Sequence, residues 1–140
     1  RATMKKIRNE RGQSLVEMAV SIVILLLLLS GAVEFGMAFF QFIQLRDAVQ
    51  EGALYGSLNP TDTAGIAARV KGASNSPVDL TLLTPVISYS DPSKKCEGNG
   101  ITVRLTYNHQ VFMPFMSGIV GTTLPLNASV TNTILTPVCP

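Results

Sequence analysis

From Met18 to Val33 the chain runs sixteen residues without a formal charge. This run sits inside a longer apolar stretch, Gly12 to Leu45, whose only charges are Glu17 and Glu34. The first Pro is Pro60, so nothing before it forces a kink or a stop. A segment this long and this apolar reads as a membrane-spanning helix rather than a core helix, with the span over about residues 15–40.

The two glutamates are the informative interruptions. Seventeen positions separate them, roughly 26 Å of helix at 1.5 Å per residue. That is slightly below the ~30 Å hydrocarbon thickness of a bilayer, so one carboxylate falls near each face. An acid at these positions still costs free energy unless it snorkels or finds a partner. For Glu34 two readings stand open: a polar stop at the outer boundary, or a contact with Arg46 of a neighbouring subunit. Ala32 and Gly36 form a small-xxx-small pair that lets helices approach, and Gly52 and Gly56 repeat the spacing higher up.

Charge gives the orientation. The net +2 of the 140-residue chain conceals an asymmetry. Residues 1–12 hold Arg1, Lys5, Lys6, Arg8 and Arg11 against Glu10. The remainder holds six basic groups against eight acidic ones, a net of −2. Basic residues tight against one end of a span put that end in the cytoplasm. Residues 1–12 therefore read as a basic leader, 13–58 as the long helix, and 59–140 as a small extracytoplasmic domain. Cys96 and Cys139 suit that side, where an oxidising compartment permits a disulfide; two unpaired thiols are the alternative.

Past Gln41 the helix becomes amphipathic, with Leu45, Val49 and Leu54 as its apolar stripe and Arg46, Asp47, Gln50 and Glu51 on the wet face. It should end near Gly56, ahead of Asn59-Pro60, giving about 42 residues and roughly 63 Å. Thr61-Asp62-Thr63 offers an N-cap for a short helix to Lys71 with Ile66, Ala67 and Val70 on one face. Val86–Ser90 reads as a strand. Ile101–Asn108 alternates, with Ile101, Val103, Leu105 and Tyr107 facing one way. Leu126–Leu135 alternates too, with Leu126, Ala128, Val130 and Ile134 inward and Asn132 out of character. The expected fold is α+β: a long N-terminal helix, a short helix, and an antiparallel sheet of about three strands whose apolar face lies on the upper helix. The stretch Gln110–Leu124, with Phe112, Met113, Phe115, Met116, Ile119 and Val120, is richer in large apolar side chains than a small core requires. It could enter the outer leaflet, meet another subunit or complete the core.

Catalytic chemistry finds no foothold. His109 is the single histidine and reads as a solvated strand-end residue; no GxSxG, SxxK or HExxH pattern occurs. Gly98-Asn99-Gly100 lacks the Lys-Ser/Thr of a phosphate loop. No cofactor, metal, small-molecule substrate or nucleic acid is expected.

Two cleavage chemistries compete at the N-terminus. Signal peptidase would see Ser30 and Ala32 as a small-residue site and release a secreted or membrane-tethered binding domain. Alternatively, cleavage falls between Gly12 and Gln13, on the cytoplasmic side of an intact helix, and makes Glu17 the fifth residue of the new chain. Arg11-Gly12-Gln13-Ser14-Leu15-Val16-Glu17-Met18-Ala19 resembles the prepilin-peptidase site of type IV pilin-like proteins. With Val33-Glu34-Phe35-Gly36-Met37-Ala38-Phe39-Phe40 and Asp47-Ala48-Val49-Gln50-Glu51-Gly52-Ala53-Leu54-Tyr55-Gly56, the chain is similar to the TadE-like minor pseudopilins of the tight-adherence (Tad/Flp) pilus system. Met18, Met37 and Gln50 depart from the family's usual residues, and Met18 bears on peptidase recognition.

The resemblance implies a non-enzymatic component of type IV pilus assembly in the cytoplasmic membrane, N-terminus inside, with entry into a surface pilus as its destination. It implies three kinds of partner besides the bilayer: other pilins through the helix, a prepilin peptidase, and the inner-membrane assembly platform. Cleavage would expose the positive α-amino group of Gln13, for Glu17 of the same or a neighbouring chain to pair with. In a low-dielectric setting that contact is stronger than in water, so Glu17 would set the packing register. Snorkelling to cytoplasmic headgroups is the bland alternative for Glu17, and a principal filament subunit is the alternative within the class.

Overall fold

The computed structural model describes residues 10–140, with side chains from Gly12 onward. The leader's Arg1, Lys5, Lys6 and Arg8 lie outside the described residues. The elements run α1 (Glu10–Leu58), α2 (Thr63–Gly72), a 3-10 turn (Leu80–Leu82), β1 (Val86–Tyr89), β2 (Gly100–Gln110) and β3 (Thr123–Thr133), with a single helical turn at Ser117–Val120 between the last two strands. The architecture is α+β.

Helix α1 is 49 residues long, about 74 Å, and so exceeds the 42 residues expected at both ends. It stops where Pro60 follows Asn59, because a residue ahead of proline disfavours the α conformation. The Asn59 amide still closes the last turn onto the Tyr55 carbonyl at 2.9 Å. Asp62 then opens α2, its carboxylate accepting from the Gly65 amide at 2.9 Å.

The sheet has the order β1-β2-β3, antiparallel throughout. Strands β2 and β3 form a long hairpin paired from Gly100↔Thr133 to Gln110↔Thr123. Ile101, Val103 and Leu105 point inward from β2, and Ala128 from β3, with Ile134 just beyond it. They meet Leu45, Ala48, Val49 and Ala53 of α1, while Ile66 and Val70 of α2 close the side. Each large aliphatic group so buried contributes ~1.5–3 kcal/mol. The upper half of α1 is thus part of the domain core rather than a free stalk.

The stripe expected on upper α1 needs one correction. Leu54 is exposed, and the buried register passes through Gly52, Ala53 and Gly56 instead. Small residues are required there because α2 and β2 approach closely. A Cβ on Gly52 would come within 2.4 Å of Val70 Cγ2, and one on Gly56 within 2.7 Å of Ile101 Cδ1. This glycine pair therefore serves packing within the chain.

Two further ties fix the connections. The buried Gln44 amide donates to the Val78 carbonyl and accepts from the Val78 amide, both at 2.8 Å, supplying partners to a backbone segment that has no strand neighbour. Cys96 and Cys139 form a disulfide with Cα atoms 5.1 Å apart, joining the β1–β2 connection to the C-terminal tail.

Candidate functional site

Along α1 two surfaces differ sharply in how the protein's own fold treats them. The helix is long and apolar enough to cross a membrane, and none of its most apolar window is buried inside the protein. Leu15, Val16, Val23, Leu25, Leu26 and Leu28 all stand exposed. Side chains of this kind in contiguous array need lipid or other helices around them.

Gly12 and Gln13 lie at the lower end of this surface, already helical and exposed. Glu17 sits one turn above Gln13, also exposed, with its backbone carbonyl accepting from Ser21 Oγ at 2.8 Å. Ala32 and Gly36 share an exposed face one turn apart, and a Cβ added to Gly36 would meet nothing within 4 Å. Glu17, Ala32 and Gly36 are therefore free of the domain core, unlike Gly52 and Gly56.

Glu34 behaves differently. It is 5% exposed and engaged within its own chain. One carboxylate oxygen accepts from His109 Nε2 at 2.6 Å. The Met113 amide donates at 2.7 Å, and the Phe112 amide lies 3.1–3.2 Å from both oxygens. His109 is 3% exposed, and its Nδ1 lies 2.6 Å from Gln41 Oε1. Glu34 accepts, so Nε2 donates. Gln41 can serve Nδ1 from either end of its amide, with oxygen facing a doubly protonated ring or nitrogen facing a singly protonated one. The cluster ties the far end of the β2–β3 hairpin to α1. The solvated reading of His109 is thereby corrected: its ring continues the inward phase of Ile101, Val103, Leu105 and Tyr107, which the alternation already carried. Glu34 likewise holds its own domain to its own helix, and Arg46 stands exposed three turns above it.

Below Glu34 the loop following β2 continues down the helix. Ser30 Oγ donates to the Pro114 carbonyl at 3.3 Å, and Met116 lies 3.8 Å from where a Cβ on Gly31 would stand. Met113, Pro114 and Phe115 face Val23, Leu26, Leu27, Leu29 and Val33 across an apolar cleft of about 570 Å³. Among the described residues, no group of three or more His, Cys, Asp or Glu side chains is placed to hold a metal ion.

An unbroken helix whose lower half is apolar and mostly exposed, and whose upper half is wrapped by a small α+β head, defines a class: proteins compatible with single-pass membrane anchoring. Residues 12–54 match the family model described as TadE-like protein, so this part of the chain is similar to that family. The matched segment runs from the Gly12-Gln13 motif to the glycine-bearing turn under α2, leaving the sheet outside it. No curated protein and no solved structure matches the chain.

Proposed function

We propose that the chain is a minor pilin or pseudopilin of a Tad-type pilus, anchored in the cytoplasmic membrane by α1 with its N-terminus inside and its α+β domain outside. A prepilin peptidase hydrolyses the Gly12-Gln13 bond, and the new Gln13 amine pairs with Glu17 of the same or a neighbouring helix. Other pilins and the inner-membrane assembly platform are its partners, and the helix packs against theirs. Its contribution is structural.

The observation that carries this reading is the division of α1 into an upper half wrapped by the domain and a lower half that the hairpin loop touches only on one side near its top, with Gly12, Gln13 and Glu17 at the uncovered foot. The Ala32-Gly36 face supports it as a route for close helix approach. The competing reading, release by signal peptidase after Ala32, is disfavoured by the hairpin's contacts with Ser30 and Gly31. That cut would remove helix surface on which the domain rests.

Intact mass and N-terminal sequencing of membrane-extracted protein test the proposal. A chain starting at Gln13, abolished by Gly12→Leu, supports it. A chain starting at Val33 in the culture fluid overturns it.

A further inference from the structure

The β2–β3 hairpin ends in a cluster of large apolar groups that its own domain does not cover. Phe112 and Phe115 are each 78% exposed and Ile119 is 65% exposed. From Leu105 to Pro140 the sequence contains no Asp, Glu, Lys or Arg. A water-facing loop tip with this composition would be a liability on an otherwise soluble domain.

We propose that this tip, residues 111–120, is a second membrane element that enters the outer leaflet beside α1, with lipid acyl chains filling the cleft between them. The proposal rests on the membrane-anchored reading of α1 and adds a second point of attachment to it.

Height is the first argument. Contacts to Ser30, Gly31 and Glu34 fix the tip against the last turns of the apolar run. Exposed Val23, Leu26, Leu29 and Val33 on that stretch need an apolar medium, and a loop at the same height shares it. From Glu34 down to Ser30 is roughly 6 Å, the depth at which interfacial elements bury their apolar face between headgroups and acyl chains.

Backbone satisfaction is the second. Irregular backbone near hydrocarbon is tolerated only where its polar groups have partners. The Phe112 and Met113 amides donate to the Glu34 carboxylate, Met116 to the Met113 carbonyl, and Ile119 and Val120 to the Met116 carbonyl. Glu34 thereby acquires a purpose beyond holding His109: it caps amides that would otherwise enter the leaflet bare.

Strain is the third. Phe115 has φ 69°, a left-handed conformation that bulky residues rarely adopt. The ring so held gains little burial from its own chain, whereas acyl chains would cover it.

The test uses the full chain, disulfide intact, in nanodiscs holding one copy each. An environment-sensitive fluorophore is attached through Phe115→Cys or, separately, Ile119→Cys. Leu28→Cys serves as the buried-in-bilayer reference and Ser129→Cys as the aqueous one. Lipids spin-labelled at a shallow acyl position should quench both tip probes several-fold more than the Ser129→Cys probe, and iodide should quench them less. Tip probes that behave like the Ser129→Cys probe while Leu28→Cys is quenched by lipid overturn the proposal and leave the anchor reading intact. An unquenched Leu28→Cys probe overturns the anchor reading itself, and the proposal with it. Protection that emerges only in discs with two or more copies assigns the tip to a second chain and overturns lipid as its occupant.

Discussion

Glu34 and His109, 75 positions apart in sequence, meet at 2.6 Å in a site from which water is almost excluded. Glu34 also accepts from the amides of Phe112 and Met113, so one carboxylate closes the distal end of the hairpin onto α1. A tie of this kind is costly to break from one side, because the groups left behind stay buried without partners. Glu34→Ala should destabilise the domain by about 3–5 kcal/mol. Glu34→Gln should lose less, since one oxygen still accepts, although its NH2 now faces other donors. Denaturant unfolding of the full chain in detergent micelles, followed by circular dichroism, measures both. Equal and negligible losses would remove Glu34 from its role as a fastener.

The glycines of α1 divide by what stands opposite them. Gly52 and Gly56 face Val70 and Ile101 at distances that leave no room for a methyl group. Gly52→Ala and Gly56→Ala should each cost about 1–3 kcal/mol through overpacking. Gly36 faces open space, so Gly36→Ala should leave the monomer's stability unchanged or raise it slightly through better helix propensity. If the Ala32-Gly36 face receives a partner helix, the same substitution weakens co-purification with other pilins. Unfolding midpoints together with crosslinked yields from native membranes separate the two effects. Equal losses of stability at all three positions would contradict the division.

Local patterns made much of this fold readable in advance. The uncharged run gave α1, the alternation gave β2 and β3, and Asp62 gave the start of α2. Pattern and structure part where packing between distant elements decides. Leu54 is large and apolar and so fits the stripe by pattern, yet α2 approaches so closely that only Gly52, Ala53 and Gly56 fit. His109 sits near a strand end, a place that suggests solvation, although its odd-numbered phase aims it inward. Glu34's partner could not be read at all, since it depends on where along α1 the hairpin comes to rest. Nor does any periodic pattern report that height, which also decides what surrounds Phe112 and Phe115.

Three carboxylates at the domain surface give it an acid limit. Asp62 is held below its usual 3.8 by the Gly65 amide and then by the Tyr55 hydroxyl. Asp79 is lowered by Thr81, and Asp91 by Ser93. Each binds a proton less readily folded than unfolded, so its contribution is present above the unfolded pKa and is lost as pH falls through the folded one. The contribution of these three groups should therefore be constant from neutrality to about pH 5 and decline below it. Asp62→Asn keeps an acceptor for the Gly65 amide, turns an NH2 toward the Tyr55 hydroxyl and removes the titration, so it should flatten part of that decline. A thermal melt series across pH on both proteins is decisive, and identical acid slopes would discount Asp62.

Glu17 offers the sharpest test of how the lower helix is used. It is exposed, one turn above Gln13, on a surface that the chain's own domain never reaches. A carboxylate there adds nothing to the packing of the α+β head, so Glu17→Ala should leave the unfolding midpoint of the domain where it is. The apolar run from Met18 is untouched, and removing an acid lowers the cost of insertion, so membrane extraction should be unchanged. If Glu17 has the proposed register role, what should fall is co-assembly, because a neighbour's Gln13 amine would lose the opposite charge that would fix its height along the bundle. Glu17→Gln should fall almost as far, since an amide retains hydrogen bonding but not the charge. Pull-down of partner pilins from crosslinked membranes, normalised to the amount of inserted protein, reads the effect directly. Wild-type recovery with both substitutions would mean that Glu17 only reaches for headgroups, and the register would then have to come from the Ala32-Gly36 face.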